Sequence, residues 1–367
     1  GFGDVMRRVD VLSADGYRNA IEKYDAPNSD SGANVNAFDE ITRTAFTQTY
    51  SLALSGGGEN GRYRGSFLAA DQDGIILKTN LKKYVANLNG QYKFLDQKLS
   101  IDFSVTAANV GELVGPISQD AGSNGNIISQ ALIWNPTLVL KRSNGTYNQE
   151  NPSGQVNPLA FTDAYNDVIN TTTVLGNINA AYKILPFLEY RLLYGLNYGT
   201  STRKAEIQGW IKGTGGDAQG NGAAATLDQQ LFSQTVTHTL NFNKQLNDNF
   251  SLNAIVGYEY WKTNLKVTNM YVYGFDYNLT QDNRVPNHYY DNMSDGNRAN
   301  LQGGSFREPV TEIQSFFARA IVNYNDRFVF TGTIRADGSN KFGSENRYAY
   351  FPSFAAAWNI DKEDFME

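Results

Sequence analysis

The sequence predicts an all-β protein, an antiparallel up-and-down transmembrane β-barrel that is incomplete at about eleven strands, with long extracellular loops containing short helices. Three observations predict it. Apolar and small polar residues alternate over stretches longer than the five or six residues of an ordinary soluble strand. Tight and long connections alternate strictly along the chain. Aromatic residues gather near both ends of the strands.

The alternation is clearest in LFSQTVTHTLNFNKQLNDNFSLNAIVGYEYW, Leu231 to Trp261, which breaks only at Leu246–Asn249. Val236, His238, Leu240 and Phe242 share one parity; Thr235, Thr237, Thr239 and Asn241 share the other. After the break, Leu252, Ala254, Val256, Tyr258 and Tyr260 oppose Ser251, Asn253, Gly257 and Glu259. The same rhythm places strands near 44–54, 62–70, 83–94, 98–109, 172–184, 187–201, 232–245, 250–265, 312–324, 327–336 and 347–358. A strand crossing a bilayer on a tilt needs about 9–11 residues. One parity (Leu, Ile, Val, Tyr, Phe) then meets lipid, and the other (Thr, Ser, Asn, Gly) meets a wet lumen.

Five connections are tight: Gly56–Gly61, Leu95–Gln97, Leu185–Pro186, Leu246–Asn249 and Asn325–Asp326. Five are longer, about 71–82, 110–171, 202–231, 266–311 and 337–346. In an up-and-down barrel the tight turns fall on one rim and the long loops on the other, as in outer-membrane barrels. Phe94, Phe187, Phe250, Tyr324 and Phe328 flank the tight turns. Tyr198, Tyr258, Tyr260, Trp261, Tyr348 and Tyr350 lie towards the long loops. Two such girdles suit the two bilayer interfaces.

Residues 1–43 read differently, as a linker or extracellular loop with a short helix, and 44–367 read as the partial barrel. In SADGYRNAIEKY, Ser13 stands at an N-cap position before a helical pattern. A second helix-like piece lies around Ile127–Trp134, followed by the turn signals of NPSGQVNP.

Composition narrows the function classes. The 367 residues contain no Cys and two His, which leaves no disulfide scaffold, no thiol chemistry and little basis for a His-built metal site. A net charge of −6 gives no reason to expect nucleic acid. No apolar run is long enough for a membrane-crossing helix. The mean hydropathy of −0.44 is that of a polar chain, and a barrel with a wet lumen is equally polar. No HExxH, GxSxG or P-loop pattern occurs, so no catalytic residue, metal ligand or cofactor is expected. The Gly-rich Ser55–Gly61 lies between two strands and reads as a turn. Asp337-Gly338-Ser339-Asn340 lacks the rest of a calcium loop. His238 and His288 show no sequence partner and read as non-catalytic.

TGTIRADGSNKFGSENRYAYFPSFAAAWNI, Thr331 to Ile360, resembles the barrel signature of SusC/RagA-type TonB-dependent outer-membrane transporters of Bacteroidetes. VLSADGYRNAIEKY, FDEITRTAFTQTYSLALSGG and YRGSFLAADQDGIILKTNLKKYVANLNGQYK resemble the same family in the same order. The resemblance runs from Val11 to the C-terminus. It implies a plugged barrel of about 22 strands, import of oligosaccharides or peptides, a SusD-like surface lipoprotein as lid, and energy from the TonB complex. No signal, TonB box or plug stands ahead of Gly1. The expectation is therefore the N-terminal half of a barrel domain in the outer membrane.

The long loops carry Trp134, Trp210, Tyr271, Tyr273, Tyr289 and Tyr290. Such rings can stack on sugars or cover peptide side chains, but the reading that weighs more is that they fold the loops upon themselves or pack against the lid. Two other function classes stay open at this point: a structural or adhesive outer-membrane barrel not coupled to TonB, and a soluble β-sandwich binding module.

Overall fold

The computed structural model describes residues 11–27, 29–117, 126–150, 154–212, 222–275 and 288–366. Its strands are β1 (Thr47–Gly58), β2 (Gly61–Asp73), β3 (Asn80–Phe94), β4 (Leu99–Leu113), β5 (Tyr165–Leu185), β6 (Leu188–Ile207), β7 (Ala223–Gln245), β8 (Phe250–Tyr273), β9 (Gln302–Arg307), β10 (Thr311–Tyr324), β11 (Phe328–Ser339) and β12 (Tyr348–Trp358). All twelve belong to one antiparallel sheet whose spatial order is the chain order, except that β10 follows β8 and β9 pairs with β8 alone. A sandwich needs two facing sheets, so that alternative falls.

The twelfth strand is the departure from expectation. β8 pairs with β10 up to Thr263 opposite Thr311, and then with β9 from Lys266 opposite Arg307. β9 and β10 thus follow one path beside β8, interrupted at Glu308–Val310. Pro309 in that gap has no N–H to offer a ladder. QGGSFR carries two glycines and little alternation, so its sequence does not announce a strand.

Register decides what each face presents. Directly opposed residues share a face. One unbroken row runs Phe94, Leu99, Tyr182, Tyr190, Leu240, Val256, Ala318, Ile334 and Pro352. It is apolar or aromatic at every position. A row on the other face runs Arg62, Gln91, Asp102, Asn179, Leu193, Thr237, Glu259, Ser315 and Asp337, with one apolar residue. On the apolar face Phe67, Leu88, Ile178, Val256, Phe330 and Ile334 stay exposed. An apolar band spanning a whole sheet far exceeds the patches of soluble monomers and fits lipid contact.

Consecutive antiparallel pairing puts all five tight turns at one rim. The Tyr324–Arg327 turn closes with Arg327 N donating to Tyr324 O at 3.0 Å, and Asn325 and Asp326 both have positive φ, 51° and 55°. That is the handedness of a type I′ hairpin turn, which Asn and Asp tolerate. Asp96 and Gln97 repeat it between Leu95 and Lys98, with Lys98 N to Leu95 O at 3.1 Å.

The girdles follow the apolar face. Near the tight turns Phe250 meets Tyr324 at 4.7 Å between centroids, and Phe187 meets Phe242 at 5.5 Å. Higher up, His238, Tyr258 and Phe316 are ring neighbours. Trp261 is a correction: it pairs with Thr235 and Ile313, and so lies on the polar face, not in the girdle. The alternation count places it there too; proximity to Tyr260 alone suggested otherwise.

The longest strands rise above any bilayer. β8 has 24 residues, roughly 80 Å of strand at about 3.3 Å per residue. Beyond the membrane band, helices α1 (Ala14–Tyr24), α2 (Ala37–Glu40), α3 (Ile127–Ile133) and α4 (Pro158–Ala164) form a loop layer. Ser13 caps α1, accepting from Gly16 N at 3.1 Å, as the sequence predicts. Asn157 caps α4 by accepting from Ala160 N, and Pro158 supplies the first helical φ. Three small apolar cores hold the layer. The first joins Ile41, Ile76, Ile127, Trp134 and Leu138; the second Val156, Phe161 and Ile211; the third Val272, Phe275 and Tyr289.

Candidate functional site

Polar and aromatic side chains gather in two places, the polar face of the sheet and the loop layer. On the polar face, Arg335 lies between two acids. Its Nε donates to Asp337 Oδ1 at 2.7 Å and its Nη2 to Glu259 Oε1 at 3.3 Å. Thr237 Oγ1 donates to the other Glu259 oxygen at 3.2 Å. The guanidinium also sits 5.6 Å from the centre of the Phe317 ring. Gly257 makes room for that ring, since a Cβ there would lie 2.2 Å from it. The result is a half-buried, hydrogen-bonding wall with one flat aromatic surface.

Towards the loops, buried Asp167 accepts a two-pronged contact from Arg203, Nε to Oδ1 at 3.0 Å and Nη2 to Oδ2 at 2.6 Å. Tyr165 Oη donates to the same carboxylate at 3.0 Å. On the outward side, buried Glu206 accepts from His288 Nδ1 at 2.6 Å and from Tyr289 N at 2.7 Å. His288 therefore has a partner 82 positions away, which sequence inspection does not reveal. His238 has one as well, Tyr190 Oη at 2.7 Å. Asn166 Nδ2 donates to Tyr290 Oη at 2.9 Å, and Lys204 reaches Asp291 at 2.7 Å. Burial, and then the negative charges of Glu206 and Asp291, push the Tyr290 phenol up to about 12. In the first loop segment, Arg18 holds the Asp30 carboxyl below its ordinary range through a hydrogen bond.

The six aromatic candidates separate into two groups. Trp134, Tyr289 and Tyr290 are buried in the loop layer. Trp134 Nε1 donates to Leu138 O at 2.9 Å, and Tyr289 stacks on Phe275 at 4.2 Å. Such placement is that of rings that fold the loops upon themselves. Trp210, Tyr271 and Tyr273 stay half-buried. Trp210 stacks on Tyr147 at 5.7 Å, and Tyr271 lies beside Tyr273 at 6.1 Å. Tyr271 and Tyr273 are on β8, not in a loop, because β7 begins at Ala223 and pairs that far. Their register puts both on the same face as Glu259 and Gly257. Sequence reading missed Glu206, Asp167 and Arg203, because acids and bases on strands carry no periodic signal of their own.

A sheet apolar outside and polar inside, with tight turns at one rim and a folded loop layer at the other, is the wall of an outer-membrane β-barrel. Within that class the chain's likeness is to TonB-dependent receptors of the SusC/RagA type. It is 28% identical over 369 residues to TonB-dependent receptor P3 of Formosa agariphila, covering 99% of this chain and 35% of that one. It is 25% identical over 393 residues to TonB-dependent receptor SusC of Bacteroides thetaiotaomicron, covering 100% of this chain and 36% of that one. The fold matches the structure of the RagAB peptide transporter with a TM-score of 0.71 at 18% identity, over 91% of this chain and 36% of that one. No protein-family model matches. The chain thus spans about a third of the length of these relatives.

Proposed function

We propose that the chain forms part of the barrel wall of a TonB-dependent outer-membrane transporter that imports oligosaccharides or peptides. In this reading 44–367 is barrel wall and 1–43 belongs to the loop side. A SusD-like surface lipoprotein covers the loop rim, and the TonB complex supplies energy from the periplasmic side. The observation that carries the reading is the register: one apolar face runs through the sheet while the opposite face is polar and hydrogen-bonding. The likeness to SusC over the whole chain supports the receptor class, and the match to the RagAB peptide transporter supports the fold. Trp210, Tyr271 and Tyr273 are the aromatic contacts proposed for substrate, because they keep exposed ring surface. No chemical step on the cargo is part of the proposal.

The test is uptake of labelled oligosaccharide and peptide pools by cells carrying the full-length gene, with and without a working TonB complex. TonB-dependent accumulation of either pool is the expected result. Accumulation indifferent to both the gene and TonB would leave the rival of a structural or adhesive barrel.

A further inference from the structure

Above the girdle, the outward face carries a belt of charge in which each cation is generally matched. Lys82 has Asp71 at 3.6 Å, Lys204 has Asp291 at 2.7 Å, and Lys262 has Glu312 at 3.0 Å. Lys266 and Arg307 break the pattern. They lie directly opposite each other on β8 and β9, on the face that also carries Val256 and Tyr258. Both side chains are exposed. Among the described residues neither forms an ion pair, and Arg307 has one contact, Nε to Asn264 Oδ1 at 3.3 Å. Asp228, two positions before Gln230, the β7 residue opposite Lys266, is engaged by Thr202 Oγ1 at 2.8 Å.

Like charges directly opposed across an antiparallel pair are destabilising when left alone. An anion between them reverses the sign. Opposed Cβ atoms are about 4.5–5.5 Å apart, so one phosphate can meet a forked guanidinium and an ammonium together. The site is also placed for it. Lys266 is six residues beyond Tyr260 on the lipid-facing parity, roughly 15 Å further along a tilted strand, where headgroups and not acyl chains meet the wall. We propose that Lys266 and Arg307 form a binding site for the phosphate of an anionic lipid headgroup in the outer leaflet. The inference rests on the outer-membrane reading above.

The test uses the full-length protein in neutral detergent and measures binding of doubly phosphorylated lipid A, dephosphorylated lipid A and inorganic phosphate. Extraction into detergent, not buffer, checks the membrane reading separately. The wild type is expected to bind phosphorylated lipid A at least about tenfold more tightly than the dephosphorylated form. The K266Q/R307Q variant is expected to lose that preference. Lys82→Gln, which removes an already matched cation, is expected to keep it. Circular dichroism of each variant checks that strand content is intact. Equal binding of both lipid forms by wild type overturns the proposal. So does an unchanged preference in the double variant. Inorganic phosphate displacing the lipid completely at equal concentration would also overturn it, since the site would then take a free anion.

Discussion

Glu206 and His288 join two elements 82 positions apart through a 2.6 Å contact between Oε1 and Nδ1, and the other Glu206 oxygen takes the Tyr289 N–H. Since a carboxylate accepts, His288 carries its proton on Nδ1 in this pair. The clasp fixes the returning end of the β8–β9 connection to the outward side of β6. Glu206→Ala strands a buried N–H, at a cost of about 1–3 kcal/mol. Amide hydrogen exchange in the full-length protein should accelerate at 288–295 and stay unchanged at 250–258. Equal protection in variant and wild type would show that the clasp holds nothing.

Lipid contact predicts an asymmetry between neighbours on β7 and β8. Leu240 and Val256 are opposed on the apolar face, while Thr237 faces Glu259 on the polar face. An Arg at Val256 should cost roughly 2–4 kcal/mol in the complete barrel. Thr237→Arg should cost much less, because its head can stay hydrated and near Glu259. Denaturant unfolding in lipid compares them directly. Equal losses would mean that the two faces are not lipid and lumen.

That assignment was readable from the sequence, because alternation alone sorts Leu240 from Thr237 and register then only has to keep parity. The five tight turns were readable for the same reason: each interrupts an alternating run. What could not be read depends on contacts between distant segments. β5 reaches back to Tyr165 and β7 to Ala223 because neighbours pair with them there, although AAATLDQQ alternates weakly. Asn157-Pro158 signals a turn and a helix start equally well, and the packing of Phe161 and Ala160 decides for the helix. The aromatic candidates show the sharpest limit. A ring in a polar loop looks the same in sequence whether it points to solvent or, like Tyr289, into a core formed with Phe275 and Val272.

The close fit of Phe317 over Gly257 can be tested by size. A Cβ at Gly257 meets the ring at 2.2 Å, so the ring must turn away. Gly257→Val should cost about 1–3 kcal/mol by overpacking. Adding Phe317→Ala should recover part of the loss, measured as coupling in a double-mutant cycle. Additive losses would mean that ring and glycine do not interact.

Alkaline pH should loosen the same clasp region through Tyr290. Its phenol is raised from about 10 to about 12 in the folded protein, by burial first and then by Glu206 and Asp291. The folded state therefore holds a proton that the unfolded state releases. Its contribution to stability is complete below about pH 10 and is lost as pH rises towards about 12. The difference in tyrosinate absorbance between wild type and Tyr290→Phe should titrate near the upper value. A midpoint near the lower one would place Tyr290 in water.

The two groups of aromatic residues should fail in different ways. Tyr271 and Tyr273 keep exposed ring surface on the polar face, and Trp210 keeps some while it packs against two loop cores. Truncation to Ala should therefore weaken cargo binding, with folding intact for the two tyrosines and the loop layer loosened for Trp210. An aromatic stack is worth about 0.5–1.5 kcal/mol, which is about two- to tenfold in affinity. Trp134 and Tyr289 are packed in loop cores, where truncation leaves a cavity and costs about 3–5 kcal/mol of local stability. Their Ala variants should lower the melting temperature of the loop layer or raise its proteolysis, and binding should weaken only as far as the layer opens. The measurement pairs affinity for an oligosaccharide or peptide pool with limited proteolysis, on the complete transporter. Undiminished affinity in all three exposed-ring variants would remove them as contacts and move recognition to the lipoprotein proposed as the lid. Stable, protease-resistant Trp134→Ala and Tyr289→Ala variants with lost affinity would reverse the assignment and make the buried rings the binding surface.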